Sequence, residues 1–115
     1  MDQLDIEITP GNQPGVRILK LTGPFTLATI FDFQKTVREG DWQLTLIDLS
    51  GVPYMDSAAL GSVLGFHASC ERQHKRYGLV GVSDRLQTLF KVAGVDGLLT
   101  TYPTMNEAQA KSAAA

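Results

Sequence analysis

The chain has 115 residues, enough for one globular domain, and 43% of them are hydrophobic against 19% charged, which excludes wholesale disorder. Ten Lys and Arg against twelve Asp and Glu leave a formal net charge of -2, without the basic excess that nucleic-acid binding needs. The lone Cys70 excludes an internal disulfide, and no apolar run approaches the ~18 residues of a spanning helix.

The opening "MDQLDIEITP" starts acidic and has no apolar core of the kind a signal peptide carries, so the expected compartment is the cytoplasm. "LDIEIT" (4–9) alternates apolar and polar residues, the period of a half-buried strand. "PGNQPG" (10–15) is dense in turn formers. "VRILKLTG" (16–23) resumes the alternation, with Val16, Ile18 and Leu19 or Leu21 facing inward, so the two segments predict an antiparallel hairpin. Pro24 lacks a backbone donor and ends the second strand. Over 27–38, "LATIFDFQKTVR", the period becomes helical. Leu27, Ile30, Phe31, Phe33 or Gln34, and Val37 fall near one face, Arg38 suits the last turn, and Gly40 closes the helix. "WQLTLIDLS" (42–50) is almost continuously apolar, as expected of a central strand covered on both sides, or on one side and its ends.

From Ser57 to about Arg72 the pattern is helical again, with Leu60, Val63, Leu64, His67 and Cys70 or Glu71 along one face. "YGLVGV" (77–82) predicts a short strand, and "SDRLQTLFKVAG" (83–94) a helix capped by Ser83 with an apolar face of Leu86, Leu89, Phe90 and Ala93. "LLTTY" (98–102) predicts a further strand. "TMNEAQAKSA" (104–113) predicts a closing helix with Thr104 as cap and Glu107 completing a capping box, and residues 112–115 are expected to fray. The order β-β-α-β-α-β-α-β-α describes an α/β fold over a single domain, 1–115. It implies a mixed sheet with helices packed mainly on one face.

Enzyme chemistry finds no converging groups. His67, Cys70 and His74 are spaced i, i+3, i+7, an awkward geometry for three metal ligands on one helix. They read instead as a core-edge histidine, a buried thiol and a surface histidine. Ser57 and His67 stand ten residues apart along one helix, roughly 15 Å at 1.5 Å per residue, beyond any hydrogen bond. There is no nucleophile elbow, phosphate loop or dinucleotide fingerprint. No catalytic residue, metal or cofactor is expected.

What remains is "VPYMDSAALG" (52–61). Asp56 or Ser57 can cap the helix that follows, by placing an oxygen on an orphaned backbone N–H. Ala58, Ala59, Gly61, Ser62 and Gly65 come next, although each helical glycine costs about 1 kcal/mol relative to alanine. Small residues at 58, 61, 65 and 68 or 69 form a low-relief stripe, suited to close approach by the protein's own sheet or by a partner. A serine at the positive end of a helix dipole is also a favourable place for a phosphate, which would add about -1.5 to -2 charges.

"LIDLSGVPYMDSAALGSVLG" resembles the signature of STAS domains, specifically bacterial anti-sigma factor antagonists, in which a buried strand leads into an Asp-Ser-(Ser/Thr)-Gly-Leu-Gly helix start. "VRILKLTGPFTLATIFDFQKTV" is similar to the family's second strand, glycine and first helix, and "GLVGVSDRLQTLFKVAGVDGLLTTYPTMNEA" to its later elements, so the resemblance covers nearly the whole chain. It implies a STAS-type domain that switches by phosphorylation. Ser57 would be the phosphoacceptor of a partner anti-sigma factor serine kinase. The unphosphorylated form would bind that kinase and release a sigma factor, and a serine phosphatase would reset the cycle. The protein would act as a monomer or weak dimer without membrane insertion.

By the same resemblance Asp56 orients the serine and the helix start. Ala58, Leu60, Gly61 and the loop Gly23–Thr26 contribute to the docking surface. The chain departs from the family at Ala58, where a second Ser or Thr is usual, at Ala59, where a glycine is usual, and at Thr26, where an acid is usual. Phe25 is either an exposed aromatic anchor or a core plug. The alternative function is a constitutive STAS adaptor or scaffold in a signalling or lipid-transport complex, with Ser57 merely a cap.

Overall fold

The computed structural model describes residues 3–113. The chain runs β1 (Asp5–Pro10), β2 (Val16–Thr22), α1 (Ile30–Arg38), β3 (Leu44–Gly51), α2 (Ser57–Gln73), β4 (Arg76–Val80), α3 (Asp84–Val92), β5 (Thr101–Tyr102) and α4 (Met105–Ala113). This is the order that the sequence predicts. One sheet holds all five strands in the order β1-β2-β3-β4-β5. The first pair is the antiparallel hairpin, and the other three pairings are parallel.

This strand order dictates where the helices lie. Parallel crossovers are right-handed as a rule, and here the strands are added in one direction, which places α1, α2 and α3 on the same face. They bury Ile30, Phe33, Leu60, Val63, Leu86 and Phe90 against Leu19, Leu21, Ile47, Leu49 and Leu79. The last helix follows the final strand without a crossover. It covers the opposite face, where Ala108 and Met105 pack on Leu44, Leu46 and Val80.

The pleat of β3 accounts for its nearly unbroken apolar run. Ile47 and Leu49 face the three helices, Leu44 and Leu46 face α4, and both sets are buried. In β2, Leu19 and Leu21 face the helices while Val16 and Ile18 pack against the smaller cluster under α4. Both faces of this strand are therefore inward.

The same alternation places Arg17 on the helix side of β2, 3% exposed. Its guanidinium donates to Thr45 Oγ1 at 2.9 Å and to three carbonyls at the end of α1: Thr36 at 3.0 Å, Val37 at 2.9 Å and Glu39 at 3.0 Å. A side chain from the sheet thus caps the C-terminus of α1 and satisfies oxygens that the helix leaves open. Burial lowers its pKa from the ordinary arginine value, opposed by the nearby Cys70 and Glu39, and the group stays charged at neutral pH.

Helix α1 starts at Ile30 rather than residue 27, because residues 26–29 form turns in which Thr29 Oγ1 accepts the Thr26 N–H at 3.0 Å. Ile30 and Phe33 then face the core with Val37 beside them. Leu27 and Phe31, expected on that face, are 61% and 70% exposed. Further along, β4 ends at Val80 instead of residue 82, and the strand expected over 98–102 narrows to Thr101–Tyr102. Ala93 is exposed just past α3, outside its buried face of Leu86 and Phe90. Ser83 and Thr104 cap as expected, accepting the N–H of Leu86 at 3.2 Å and of Glu107 at 3.1 Å. Residues 112 and 113 belong to α4, and the rest of the expected tail, 114 and 115, lies outside the described residues.

Candidate functional site

Strands β2 and β3 run parallel and end side by side, with Thr22 opposite Gly51. Gly23 turns the chain there at φ +113, and its N–H donates to Gly51 O at 3.0 Å. A Cβ at this position would lie 2.3 Å from Gln3 O, so only glycine fits. The two loops then pair once more. Phe25 N–H donates to Tyr54 O at 3.2 Å and Asp56 N–H to Phe25 O at 3.3 Å, on either side of a bridge between Phe25 and Met55. This bridge turns the Phe25 ring inward, where it is fully buried with its centroid 4.9 Å from that of Phe33. Phe25 is therefore the core plug, and its side chain is not presented to a partner.

Asp56, in extended conformation, is the N-cap of α2. Its Oδ1 accepts the Ala59 N–H at 2.9 Å, and its Oδ2 accepts the Leu27 N–H at 2.9 Å. One carboxylate thus caps its own helix and holds the loop before α1. Desolvation pushes its pKa up, but the backbone N–H groups of Ala59, Leu27 and Ala58 outweigh that and hold it below the ordinary carboxylate value. With Asp56 as the cap, Ser57 becomes the first residue of α2, and it is exposed. Thr26 is partly buried, and its Oγ1 accepts the Ala28 N–H at 3.3 Å, which keeps the turn closed.

Thr26, Asp56, Ser57, Ala58 and Gly61 all keep some exposure at this end of the molecule. Leu60 does not: it is 4% exposed and packs in the main core, so its expected docking contact is corrected along with that of Phe25. It lies a turn beyond Asp56, three positions before the buried Val63, and shares that residue's face. The exposed apolar residues here are instead Leu27, Phe31 and Tyr54, the last 39% exposed with the Arg85 guanidinium 5.8 Å from its ring centroid. The sequence carried a signal for Phe31. Ile30, Phe33 and Val37 already make a complete inward stripe at i, i+3, i+7, which leaves Phe31 about 100° round the helix. The small-residue stripe is also settled in part, since a Cβ on Gly61 or Gly65 would meet nothing within 4 Å. It is not packed against the protein's own sheet.

The histidines and the thiol are engaged as structural groups. His67 Nδ1 pairs with the Tyr77 hydroxyl at 2.8 Å, and its Nε2 lies 3.3 Å from Glu71. The Tyr77 hydroxyl also accepts the Thr100 N–H at 3.3 Å. Cys70 is buried, which pushes its thiol pKa up despite nearby Lys75 and Arg17 and leaves it a weak nucleophile. His74 is exposed at φ 56 and closes α2. Among the described residues no three His, Cys, Asp or Glu side chains converge as a metal set. No helix among them is long and apolar enough to cross a membrane.

The family model of the STAS domain matches residues 6–108. An anti-sigma-B factor antagonist of Staphylococcus aureus is 28% identical over 99 residues, 84% of this chain and 90% of the relative. Among solved structures, the anti-sigma factor antagonist SpoIIAA in its unphosphorylated form superposes with a TM-score of 0.79 at 16% identity, covering 96% of this chain and 98% of that one. A sulfate transporter family protein from Wolinella succinogenes superposes at 0.73 with 23% identity, covering 89% of this chain and 88% of that one. These superpositions show a shared fold, and the matched span runs from β1 into α4 and includes both stapled loops and the Asp56–Ser57 helix start. This chain belongs to the STAS domain family.

Proposed function

We propose that this protein is an anti-sigma factor antagonist, a non-enzymatic cytoplasmic regulator that docks on an anti-sigma factor serine kinase and is switched off by phosphate on Ser57. The observation that carries the reading is the exposure of Ser57 at the first position of α2, with Asp56 already occupied as cap and as clamp on the loop before α1. The serine hydroxyl is therefore not needed to start the helix. Similarity to the Staphylococcus aureus antagonist and the fold of SpoIIAA support the same reading.

The chemistry belongs to the partner: the kinase transfers the terminal phosphoryl group of ATP to Ser57 Oγ, the bond from the γ-phosphorus to the bridging oxygen breaks so that ADP leaves, and the kinase accepts the displaced hydroxyl proton. The helix dipole tolerates phosphate at this position, so α2 does not melt. Phosphate brings about -1.5 to -2 charges beside the Asp56 carboxylate. A kinase surface complementary to the unphosphorylated face then meets strong repulsion from the phosphorylated one. The departures from the family motif fit. Ala59 is fully buried, so its methyl group faces the core rather than the partner. Ala58 leaves Ser57 as the single hydroxyl at positions 57–59. The docking surface is Thr26, Asp56, Ser57, Ala58 and Gly61, flanked by the exposed Leu27 and Phe31.

The test is intact-mass measurement after incubation with an anti-sigma serine kinase encoded in the same genome and ATP. One phosphate on the wild type and none on a folded Ser57→Ala variant is the expected result. Phosphate on another residue overturns the assignment, as does equal kinase binding by Ser57→Asp and wild type. Kinase that is active on its own substrate but inert here leaves the adaptor reading.

A further inference from the structure

We infer that the groove between α1 and α2 is a binding site for a small organic polyanion, phosphate- or carboxylate-bearing, with room for a flat ring. The groove holds about 480 Å3, within the range of small-molecule sites. It exists because α2 lacks side chains at Gly61 and Gly65 where it passes α1, and an added Cβ there would enter open space.

Charge sets the ligand class. The whole chain is net negative, yet five of its ten basic residues, Arg17, Arg38, Arg72, Lys75 and Arg76, line this one concavity, and no Asp or Glu does. Lys75 shares its charge with the exposed Asp41 at 3.4 Å. Arg38 and Arg72 have no carboxylate within 4.0 Å among the described residues. Arg17 is the fixed element. Four of its N–H donors are held by Thr45 and the carbonyls of Thr36, Val37 and Glu39. A guanidinium has five donors, so one is left among the described residues. Among the described residues no carboxylate lies within 4.0 Å of Arg17, although Glu39 acts on it from farther off, and the side chain cannot swing away. A buried, preorganised cation with a spare donor is a strong recognition element for an anion. The walls add ring surface: Trp42 lies with its centroid 5.8 Å from the Arg17 guanidinium, and Phe66 lines the same space. Ser62 and Gln73 supply further polar groups.

The inference is independent of phosphate on Ser57, and its test uses unphosphorylated protein without any kinase. Trp42 is the single tryptophan and lines the groove, so its emission reports occupancy. Pyrophosphate, citrate and AMP are titrated separately at constant ionic strength. At least one is expected to give a saturating, one-site change. Arg38→Gln combined with Arg72→Gln should weaken it roughly tenfold or more, and Gly65→Leu, which fills the groove without removing charge, should abolish it at undiminished melting temperature. Arg85→Gln, outside the groove lining, should change nothing. Absence of saturation below about 10 mM for all three probes overturns the proposal. So does binding that survives the groove variants, or that Arg85→Gln weakens equally. Saturation by an acidic peptide with none by the small anions overturns it in favour of a protein-docking groove.

Discussion

Asp56 offers the sharpest test of how the site is built, because one carboxylate serves two elements at 2.9 Å each. Asp56→Ala removes the cap of α2, worth about 1 kcal/mol. It also removes the acceptor of the Leu27 N–H, which lies in an exposed residue where water competes and is worth only about 0.5 kcal/mol. The sum, about 1.5 kcal/mol, corresponds to roughly 6 °C in Tm for a chain of this size. Asp56→Asn separates the two parts. Asparagine caps as well as aspartate, but its single carbonyl oxygen serves Ala59 and turns the amide nitrogen toward the Leu27 N–H, so only about 0.5 kcal/mol is lost. The folded-state pKa of Asp56 lies below the ordinary 3.8. Its extra stabilisation is therefore fully present above that value and lost as pH falls through the lower, folded one. The gap between wild type and Asp56→Asn should close over the same acid range. Urea unfolding from pH 7 downward, with hydrogen exchange at Leu27 and Ala59, measures all of this. Equal losses in the two variants, or a gap that persists at the acid end, would refute the double-acceptor account.

The two phenylalanines near the site should behave oppositely. Phe25→Ala is expected to cost about 3–5 kcal/mol in unfolding experiments, whereas Phe31→Ala, 70% exposed in the native chain, should stay within about 0.5 kcal/mol of wild type yet weaken kinase binding about tenfold by calorimetry if it anchors the partner. Gly65→Ala places a methyl group in open space and should raise stability by about 1 kcal/mol, read as a higher urea midpoint at unchanged slope. Arg17→Met strips the α1 carbonyls and Thr45 of their shared donor and should cost about 3 kcal/mol. Arg17→Lys, which restores the charge but not the fork, should recover less than half of that in the same assay.

What the sequence disclosed depended on the range of the interaction involved. The hairpin, the alternation of strands and helices, and the Ser83 and Thr104 caps rest on neighbours within a few residues, and all are present. The start of α1 rests partly on a hydrogen bond between Leu27 and Asp56, 29 residues apart, and so the exposure of Leu27 was hidden, whereas that of Phe31 was legible in the Ile30, Phe33 and Val37 stripe. Phe25 is buried because its backbone bridges to Met55, a contact that no local pattern announces. Arg17 reads as the polar half of an alternating strand. Only the fold shows that both faces of β2 are covered and that the end of α1 waits above it. Asp56 and Ser57 were equal candidates for the cap, and a second acceptor role at Leu27 is what separates them.

The topology also bears on the proposal that Ser57 receives phosphate rather than acting as a nucleophile. Open α/β sheets bind small molecules at strand ends where the strand order reverses, because successive loops diverge there toward opposite faces and leave a crevice. In this sheet β2, β3, β4 and β5 follow one another without reversal. The loops after β2 and β3 leave toward the same face and are zipped together by the Phe25–Met55 bridge and the Asp56 clamp. The place where a crevice would form is closed, and Ser57 stands exposed on the resulting platform. A nucleophilic serine needs a base within about 3 Å and a water-excluding pocket. His67, the nearer histidine in sequence, is already engaged with Tyr77 and Glu71. In the proposed role, a hydroxyl raised on a stapled surface is well placed to enter the active site of another protein. The concavity on this face lies in the gap between α1 and α2, where the missing side chains of Gly61 and Gly65 leave it open.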